Sequence, residues 1–239
     1  MIIDIDYQMN VNGPNVRLFC KDSVGRSVII NAFGFFPYFY VEDIPEAHEI
    51  KQRDEIASWT KRIEPRSMRL YEGGKEVSTL KLYGNEPSRV PEISSSFLKS
   101  SVRVFEADIP FIKRFLIDAN LRCLQGVHVA GKEEAGSHET SYTITSHFAQ
   151  LKPISQENYQ PQLLAIDIEV AAEDESVQQL LEKGEKRLTA ISITFGKTRE
   201  GLTTEAKILL EDSDEAERDL VEWLFRHFLT LAPDVVITF

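Results

Sequence analysis

Cysteine and long apolar runs are both scarce in this sequence. Only Cys20 and Cys123 occur in 239 residues, too few for a disulfide framework or a Cys/His zinc motif, so we expect two buried, reduced thiols. No apolar run approaches the roughly 20 residues that cross a bilayer. The N-terminus also lacks the basic start and apolar core of a secretory signal. We therefore expect a cytoplasmic protein that does not enter a membrane.

The sequence also lacks an excess of basic charge. It has 27 Lys and Arg against 38 Asp and Glu, a net charge of −11. Residues 1–162 carry 19 basic and 21 acidic side chains, whereas residues 163–239 carry 8 and 17. An acidic C-terminal part argues against a general electrostatic grip on nucleic acid, although a metal-dependent phosphodiester site is itself acidic until cations bind. With the polar, proline-flanked stretch 153–162, this difference predicts two domains, 1–155 and 156–239.

Charge does occur inside one apolar run, Leu163 to Val170. Side chains of a strand alternate between two faces, so Asp167 and Glu169 share one face, while Leu164, Ile166, Ile168 and Val170 share the other. Two neighbouring carboxylates repel each other, and a hard cation such as Mg²⁺ or Mn²⁺ relieves that repulsion. The pair therefore indicates either a metal site for phosphoryl chemistry or the water-exposed face of an ordinary strand.

Alternating apolar residues predict that the first domain begins with an antiparallel sheet. The segments that follow have the order helix, strand, strand, helix, strand, at 46–60, 67–71, 76–83, 90–98 and 102–106. This order is typical of a split βαβ-type subdomain. The expected class is α+β, with a β-rich first domain.

The second domain is predicted to continue from the acidic strand through two more strands, 188–196 and 206–210. An amphipathic helix follows, with Asp212 and Glu215 as its capping pair, and then a strand at 235–239. The predicted apolar stripe of this helix consists of Leu220, Val221, Leu224, Phe225, Phe228 and Leu231. A meander, a crossover helix and a fourth strand beside the acidic one suit a truncated ribonuclease-H-like α/β layer. Because the sequence stops within a core strand, we expect it to be a fragment of a longer chain.

Several segments, taken in their order and spacing, resemble the N-terminal part of an archaeal family B DNA polymerase. The resemblance spans most of the chain. The segments that carry it are Met-Ile-Ile-Asp-Ile-Asp-Tyr at residues 1–7, Phe-Pro-Tyr-Phe-Tyr at 36–40, Lys-Leu-Tyr at 81–83, the run from Phe105 to Asp118, Asp-Ile-Glu at 167–169 and Pro-Asp-Val-Val-Ile-Thr-Phe at 233–239.

The resemblance implies a DNA-contacting domain followed by the start of a proofreading 3′-to-5′ exonuclease domain. Asp167 and Glu169 match the family's first exonuclease motif, which binds two divalent metals, Mg²⁺ or Mn²⁺. The second motif should begin just after Phe239, so we expect this sequence alone to be catalytically inactive. The implied partners are single-stranded template and the primer 3′ end, with a sliding clamp possible through a C-terminal part that lies outside this sequence.

The resemblance also implies a shallow pocket that captures deaminated bases in the template and stalls synthesis before uracil. The matching positions are Tyr7, Pro37, Tyr38, Val90, Pro91, Ile109, Pro110, Phe111 and Arg114. Apolar walls of this kind could accept a flat pyrimidine and exclude a 5-methyl group. The alternative is that these residues only pack the domain.

Two other functions remain open from the sequence. A noncatalytic nucleic-acid-binding module from an inactivated polymerase paralogue would have nearly the same N-terminal sequence. An unrelated acidic metal hydrolase is disfavoured by the long match outside Asp167 and Glu169.

Overall fold

The structure, a computed structural model, describes residues 1–70, 74–136, 140–155, 159–170, 187–197 and 200–238. The chain forms two compact units, Met1–Asn158 and Tyr159–Phe239, each with a core of its own. The division lies three residues beyond the boundary expected from the sequence. In the described part of the chain, no helix is long and apolar enough to cross a membrane.

The first unit is built mainly from strands. Its elements in chain order are β1 (Ile2–Asn10), β2 (Gly13–Lys21), β3 (Ser27–Phe33), β4 (Tyr38–Glu42), α1 (Pro45–Ile50), α2 (Asp54–Trp59), β5 (Thr60–Arg69), β6 (Glu76–Gly84), α3 (Val90–Leu98), β7 (Val104–Phe105), α4 (Phe111–Asp118), β8 (Gly126–Val129), β9 (Lys132–Ala135), β10 (Tyr142–His147) and β11 (Leu151–Ile154). A 3₁₀ turn, Pro87–Arg89, precedes α3.

The first sheet has the strand order β1-β2-β3-β10-β9. Alternate residues of β2 and β3 are buried, among them Val16, Leu18 and Ile30, because one face of the sheet packs on the core. The three N-terminal strands pair antiparallel as expected, and β10, from later in the chain, joins them parallel to β3, so the whole sheet is mixed. Cys20 belongs to this core, and burial raises the pKa of its thiol to about 12. Cys123 is exposed, so the expectation of two buried thiols was wrong.

The second sheet has the order β5-β6-β4-β7, with every neighbouring pair antiparallel. β4 and β5 therefore run parallel with β6 between them, which is the split βαβ arrangement predicted from the order of segments. Phe39 and Leu82 face the three helices α1 to α3 and pack with Trp59. Gly84 permits this packing, because a Cβ atom there would lie 1.9 Å from the Trp59 ring.

The segment predicted as one helix from residue 46 to 60 is two short helices, α1 and α2. Ile50 and Ile56 are both buried in the same core. Six residues along one straight helix would place them about 120° apart around its axis, so a single helix would bury both only on a wide apolar face. The chain instead breaks at 51–53, where the N–H groups of Gln52 and Arg53 bond carbonyls three residues back. β5 then starts at Thr60, earlier than expected.

The second unit is a four-stranded sheet with one long helix. Its elements are β12 (Leu163–Val170), β13 (Leu188–Lys197), β14 (Gly201–Ile208), α5 (Asp214–Leu231) and β15 (Val235–Thr238). The order is β14-β13-β12-β15, and β15 is parallel to the acidic strand β12. Leu164, Ile193 and Leu220 lie in its core. The predicted meander, crossover helix and fourth strand are therefore confirmed.

The N-terminus of α5 differs from the expected capping pair. Ser213 is the N-cap, and its Oγ accepts a hydrogen bond from the Ala216 N–H at 3.2 Å. Asp212 instead forms an ion pair with Arg187 at 2.7 Å, because it lies one residue too early to cap the helix. The predicted apolar stripe also included Phe225, which is 63% exposed. Leu224 and Phe228, on the adjoining face, pack against the core.

Candidate functional site

A cavity of about 500 Å³ lies in the first unit where β4, α3 and α4 meet. Eight of the nine residues predicted for base capture line it, and Tyr7 does not. The eight are Pro37, Tyr38, Val90, Pro91, Ile109, Pro110, Phe111 and Arg114; the other lining residues are Pro87, Ser94, Ser95, Leu98, Ala107 and Asp108. The site residues thus converge from three separate stretches of sequence.

Proline shapes much of the cavity wall. Pro91 lies in the first turn of α3, and Pro110 is the N-cap of α4. The first turn is a favourable position for Pro91, since proline has no N–H to donate and its φ angle is already helical, and the N-cap position of Pro110 needs no N–H within the helix. Pro37 and Pro87 add two more lining rings. The backbone around the cavity is therefore stiff, and much of its wall is apolar.

Tyr7 lies behind the wall rather than in it. Its ring meets Phe111 edge to face, with 5.0 Å between centroids. Phe111 also contacts Phe35, a buried core residue, at 5.4 Å. Tyr7 can therefore hold Phe111 in place and does not need to touch a ligand.

Arg114 is the most polar residue of the wall and is only 6% exposed. Its Nη1 pairs with the Glu106 carboxylate, and its Nη2 donates to the Glu106 carbonyl oxygen at 2.8 Å. Burial, the largest single effect, opposes the charged form, but the hydrogen bonds and charges of Glu106 and Tyr38 together exceed it and raise the pKa of Arg114. Glu106 adopts a left-handed backbone conformation, φ 59°, which is costly for a residue other than glycine. The Arg114 pair therefore accompanies a strained turn at the cavity.

One donor of this arginine is unused. Arg114 Nε is buried and has no hydrogen-bond partner among the residues that the structure describes. A buried donor without an acceptor costs about 1 to 3 kcal/mol. An oxygen acceptor brought by a ligand would relieve that cost.

Tyr38 connects the wall to α4 through its hydroxyl group. The hydroxyl donates to the Asp118 carboxylate at 2.7 Å and accepts a longer bond, 3.4 Å, from Arg114. Burial, followed by the hydrogen bond to Asp118, raises the pKa of Tyr38 above its ordinary value near 10. The ring is therefore neutral and fixed in orientation at physiological pH.

The acidic strand β12 places Asp167 and Glu169 on one face, and both side chains are exposed. Their neighbours across β13 are Ser192 and Ala190. Within the described residues, β15 pairs with β12 from Leu163 to Ile166. The opposite face is buried at Leu164 and Ile166, as predicted.

Ile168 was expected to be buried and is 49% exposed. The strand alternation holds at Leu164 and Ile166, which belong to the core cluster under α5. That cluster does not reach Ile168 within the described parts of the chain. The period of two thus predicted the face of Ile168 correctly but not how far the core extends.

Asp167 and Glu169 are ligands of the type that a hard divalent cation prefers, but two carboxylates are too few to complete a metal site. Carboxylate oxygens are the ligands that Mg²⁺ and Mn²⁺ prefer. Outside the gaps in the described ranges, however, no group of three or more His, Cys, Asp or Glu side chains is placed to hold a metal ion. Asp167 and Glu169 could therefore hold such a cation only together with further ligands.

Glu106 and Asp118 were missed as site residues by the sequence analysis. Both lie inside the segment 105–118 that carries the resemblance, but nothing in the sequence links Asp118 to Tyr38, 80 residues earlier. The presence of a carboxylate in this segment does little to predict that it will pair with a buried arginine or tyrosine. The pairing depends on how β4 and α4 pack.

Comparison with known proteins gives a consistent result. The family model for the exonuclease domain of DNA polymerase family B matches residues 102–239. A DNA polymerase of Archaeoglobus fulgidus is 35% identical over 139 residues, which is 56% of this chain and 17% of that protein. DNA polymerase 2 of Aeropyrum pernix is 26% identical over 252 aligned positions, covering 99% of this chain and 30% of that protein.

A solved structure has the same fold across both units. The family B DNA polymerase from the hyperthermophilic archaeon Pyrobaculum calidifontis matches with a TM-score of 0.71 and 22% identity, covering all of this chain and 30% of that one. This chain therefore spans less than a third of the length of any of these three proteins.

Proposed function

Since the chain belongs to DNA polymerase family B, we propose that its first unit holds single-stranded template and captures uracil in the cavity beside Tyr38. The observation that supports this most is the convergence of eight predicted residues on that one cavity. The second unit would contribute Asp167 and Glu169 to a proofreading 3′-to-5′ exonuclease at the primer 3′ end. In a full-length parent, these units would serve a DNA-directed DNA polymerase, with a sliding clamp as a possible further partner.

The cavity has the chemistry to accept a flat base. Val90, Pro91 and Pro110 offer apolar contacts, and such contacts can reject the 5-methyl group of thymine by filling its place. Discrimination of one methyl-sized group is worth about 1 to 3 kcal/mol. The unused donor on Arg114 can add to this by bonding an oxygen that the captured strand brings. A base is smaller than the whole cavity, so adjoining parts of the strand have room to lie there too.

Fluorescence anisotropy tests this proposal directly. The chain is titrated into two labelled single-stranded oligonucleotides that differ by one deoxyuridine in place of thymidine, at low salt and without divalent metal. We expect about tenfold tighter binding of the uracil strand, from the methyl-sized energy difference above.

Two valine variants make the anisotropy test specific. Val90→Gln places a polar side chain in the wall and should abolish the preference for uracil. Val24→Gln is the matched control, because Val24 is exposed in a turn and does not line the cavity. Equal binding of both strands by the original chain would contradict uracil capture.

The exonuclease contribution rests on the exposed carboxylates of β12. Asp167 and Glu169 would hold a divalent cation, which in such enzymes supplies an activated water and stabilises the leaving oxygen of a phosphodiester. The chain itself fixes the two carboxylates on one stiff strand face, ready to share ions with further ligands. Mg²⁺ or Mn²⁺ is the expected metal.

We expect no exonuclease activity from this chain by itself, because its described residues offer only two of the ligands required. The measurement is gel analysis of a labelled single strand incubated with the chain and Mg²⁺. Shortening of the strand that disappears in the Asp167→Ala variant would overturn this expectation. Shortening that persists in that variant would instead indicate a contaminating nuclease.

A further inference from the structure

Tyr38 also lines a second cleft in the first unit, distinct from the cavity described above. The cleft has a volume of about 330 Å³. It lies on the face of the β5-β6-β4-β7 sheet opposite to the one that packs against α1, α2 and α3. The residues that matter here are Phe36, Tyr38, Arg62, Lys81, Tyr83 and Asp118.

Lys81 of β6 has an unusual position in this cleft. On the sheet it stands directly opposite Glu64 of β5, where an ion pair would be expected. Its ammonium instead lies 3.5 Å from the centroid of the Tyr38 ring and 4.7 Å from that of Tyr83. Glu64 is occupied by two arginines, Arg62 at 3.3 Å and Arg66 at 2.5 Å.

The ammonium of Lys81 is half-buried and has all three donors unused. Among the residues that the structure describes, none accepts a hydrogen bond from it or forms an ion pair with it. The two tyrosine faces attract the cation and fix its place, but they leave its N–H groups free. A fixed, partly desolvated cation without an anion is suited to bind one.

The charged side chains around the cleft also favour binding of an anion. Arg62 stacks over Tyr83 at 3.8 Å, and its terminal nitrogens form no hydrogen bond within the described ranges. Among the described residues, Asp118 is the one carboxylate that lines the cleft, and its oxygens accept a hydrogen bond from the Tyr38 hydroxyl. Glu64, opposite Lys81 in the strand pairing, forms ion pairs with Arg62 and Arg66. The three cations Lys81, Arg62 and Arg66 outnumber these two carboxylates, so the net charge around the cleft is positive.

We propose that this Lys81 cleft binds a phosphate group, with Lys81 as the main contact and Arg62 as the second. Phosphate presents several oxygens to Lys81 and accepts from the free arm of Arg62 as well. The phosphate can come from the backbone of a nucleic-acid strand or from a free phosphate or pyrophosphate. The site does not depend on uracil capture, because Val90 and Pro91 line only the other cavity.

The test is an NMR titration of the ¹⁵N-labelled chain with inorganic phosphate at constant ionic strength. We expect saturable amide shifts around Gly34, Lys81 and Tyr83, with a dissociation constant of about 1 mM. Lys81→Met keeps the aliphatic length and removes the charge, so the dissociation constant should rise about tenfold with the loss of a charge-assisted contact.

Two further variants keep this test decisive. Lys81→Arg restores a cation and should bind phosphate as the original chain does. Lys152→Met removes an exposed lysine of β11 outside the cleft and should leave binding unchanged. Retention of full phosphate affinity by the folded Lys81→Met variant would refute the proposal.

Two other ligands distinguish a nucleic-acid backbone from free phosphates as the source of the bound phosphate group. Pyrophosphate probes free phosphates, and a thymidine tetranucleotide without terminal phosphate probes the backbone. Shifts of the same amides with the tetranucleotide would support a strand-backbone site, and shifts with inorganic phosphate and pyrophosphate alone would support a site for soluble phosphates. No saturable shift with any of the three would refute the proposal. Val90→Gln should bind phosphate normally, which separates this site from uracil capture.

Discussion

Tyr38 combines a buried ring with a hydroxyl that has two polar partners, Asp118 and Arg114. Such an arrangement favours the neutral phenol, because only the protonated hydroxyl can donate the hydrogen bond that Asp118 accepts. Burial and this bond both raise the pKa of Tyr38. The residue therefore couples the stability of the first unit to pH at the alkaline end.

Tyr38→Phe should weaken this coupling. Because the folded-state pKa lies above the unfolded value near 10, the contribution of Tyr38 is complete below about pH 10 and declines as pH rises further. We expect Tyr38→Phe to lower the free energy of unfolding by about 1 kcal/mol at pH 8, through the lost hydrogen bond. Urea unfolding from pH 8 to pH 11 measures both effects. A variant whose stability falls as steeply above pH 10 as that of the original chain would contradict this role.

At the scale of secondary structure, α5 is held by its N-terminus as well as by its apolar face. Ser213 caps the helix, and Asp214, Glu215 and Glu217 place negative charge in the first turn, where the helix dipole favours it. Glu217 also accepts the Leu188 N–H at 2.8 Å, which joins the start of α5 to the start of β13. The cap therefore supports the packing of helix on sheet.

Ser213→Ala should destabilise the second unit by about 1 kcal/mol, since the Ala216 N–H would lose its acceptor. Thr230→Ala is the matched control within the same helix. Thr230 is exposed and bonds the Arg226 carbonyl four residues back, a contact that gives no net support to a helix. Chemical denaturation followed by Trp223 fluorescence would report both variants. Equal stability of Ser213→Ala and the original chain would show that the cap is dispensable.

Sequence periodicity predicted the elements well where one face meets a core. The strand β12 and the helix α5 were located to within a few residues, because apolar spacing of two and of 3.6 residues marks a buried face. Periodicity failed where a chain changes direction, at 51–53, and where a core ends, at Ile168. Both failures depend on neighbours distant in sequence, which no local pattern specifies.

For the whole molecule, the two units differ in core and in charge. Among the residues that the structure describes, the two hydrophobic clusters of the first unit are made from residues before 152, and that of the second from residues 164–231. The acidic excess belongs to the second part of the sequence. A unit that contains its whole core can fold without the rest of the chain.

We therefore expect residues 1–158, expressed alone, to fold. The measurement is the ¹H–¹⁵N spectrum of this piece compared with that of the full chain. Amide resonances of the buried strands β2, β3 and β6 should overlay, because the core partners of these strands within the described residues are all retained. A collapsed spectrum would mean that the first unit needs the second for stability.

The candidate site was only partly predictable at this scale. The wall residues of the cavity came from the resemblance to a family, and Val90, Ile109 and Tyr38 do meet in one place. The groups that hold the wall, Glu106 and Asp118, were not predicted, since their partners are set by tertiary packing. Lys81 lies in a segment that carries the resemblance, but nothing in the sequence indicates that its ammonium is unpaired, because this follows from Glu64 being paired with two arginines.

Tyr38 lines both the cavity and the Lys81 cleft, which limits how the two sites can evolve independently. A substitution of Tyr38 alters the cavity and the Lys81 cleft together. Selection for a new base preference at Tyr38 would therefore also change the Lys81 cleft. Val90 and Pro91 touch only the first, and Arg62 and Lys81 only the second. Laboratory evolution of either the cavity or the Lys81 cleft should therefore accumulate substitutions at these four positions and leave Tyr38 unchanged.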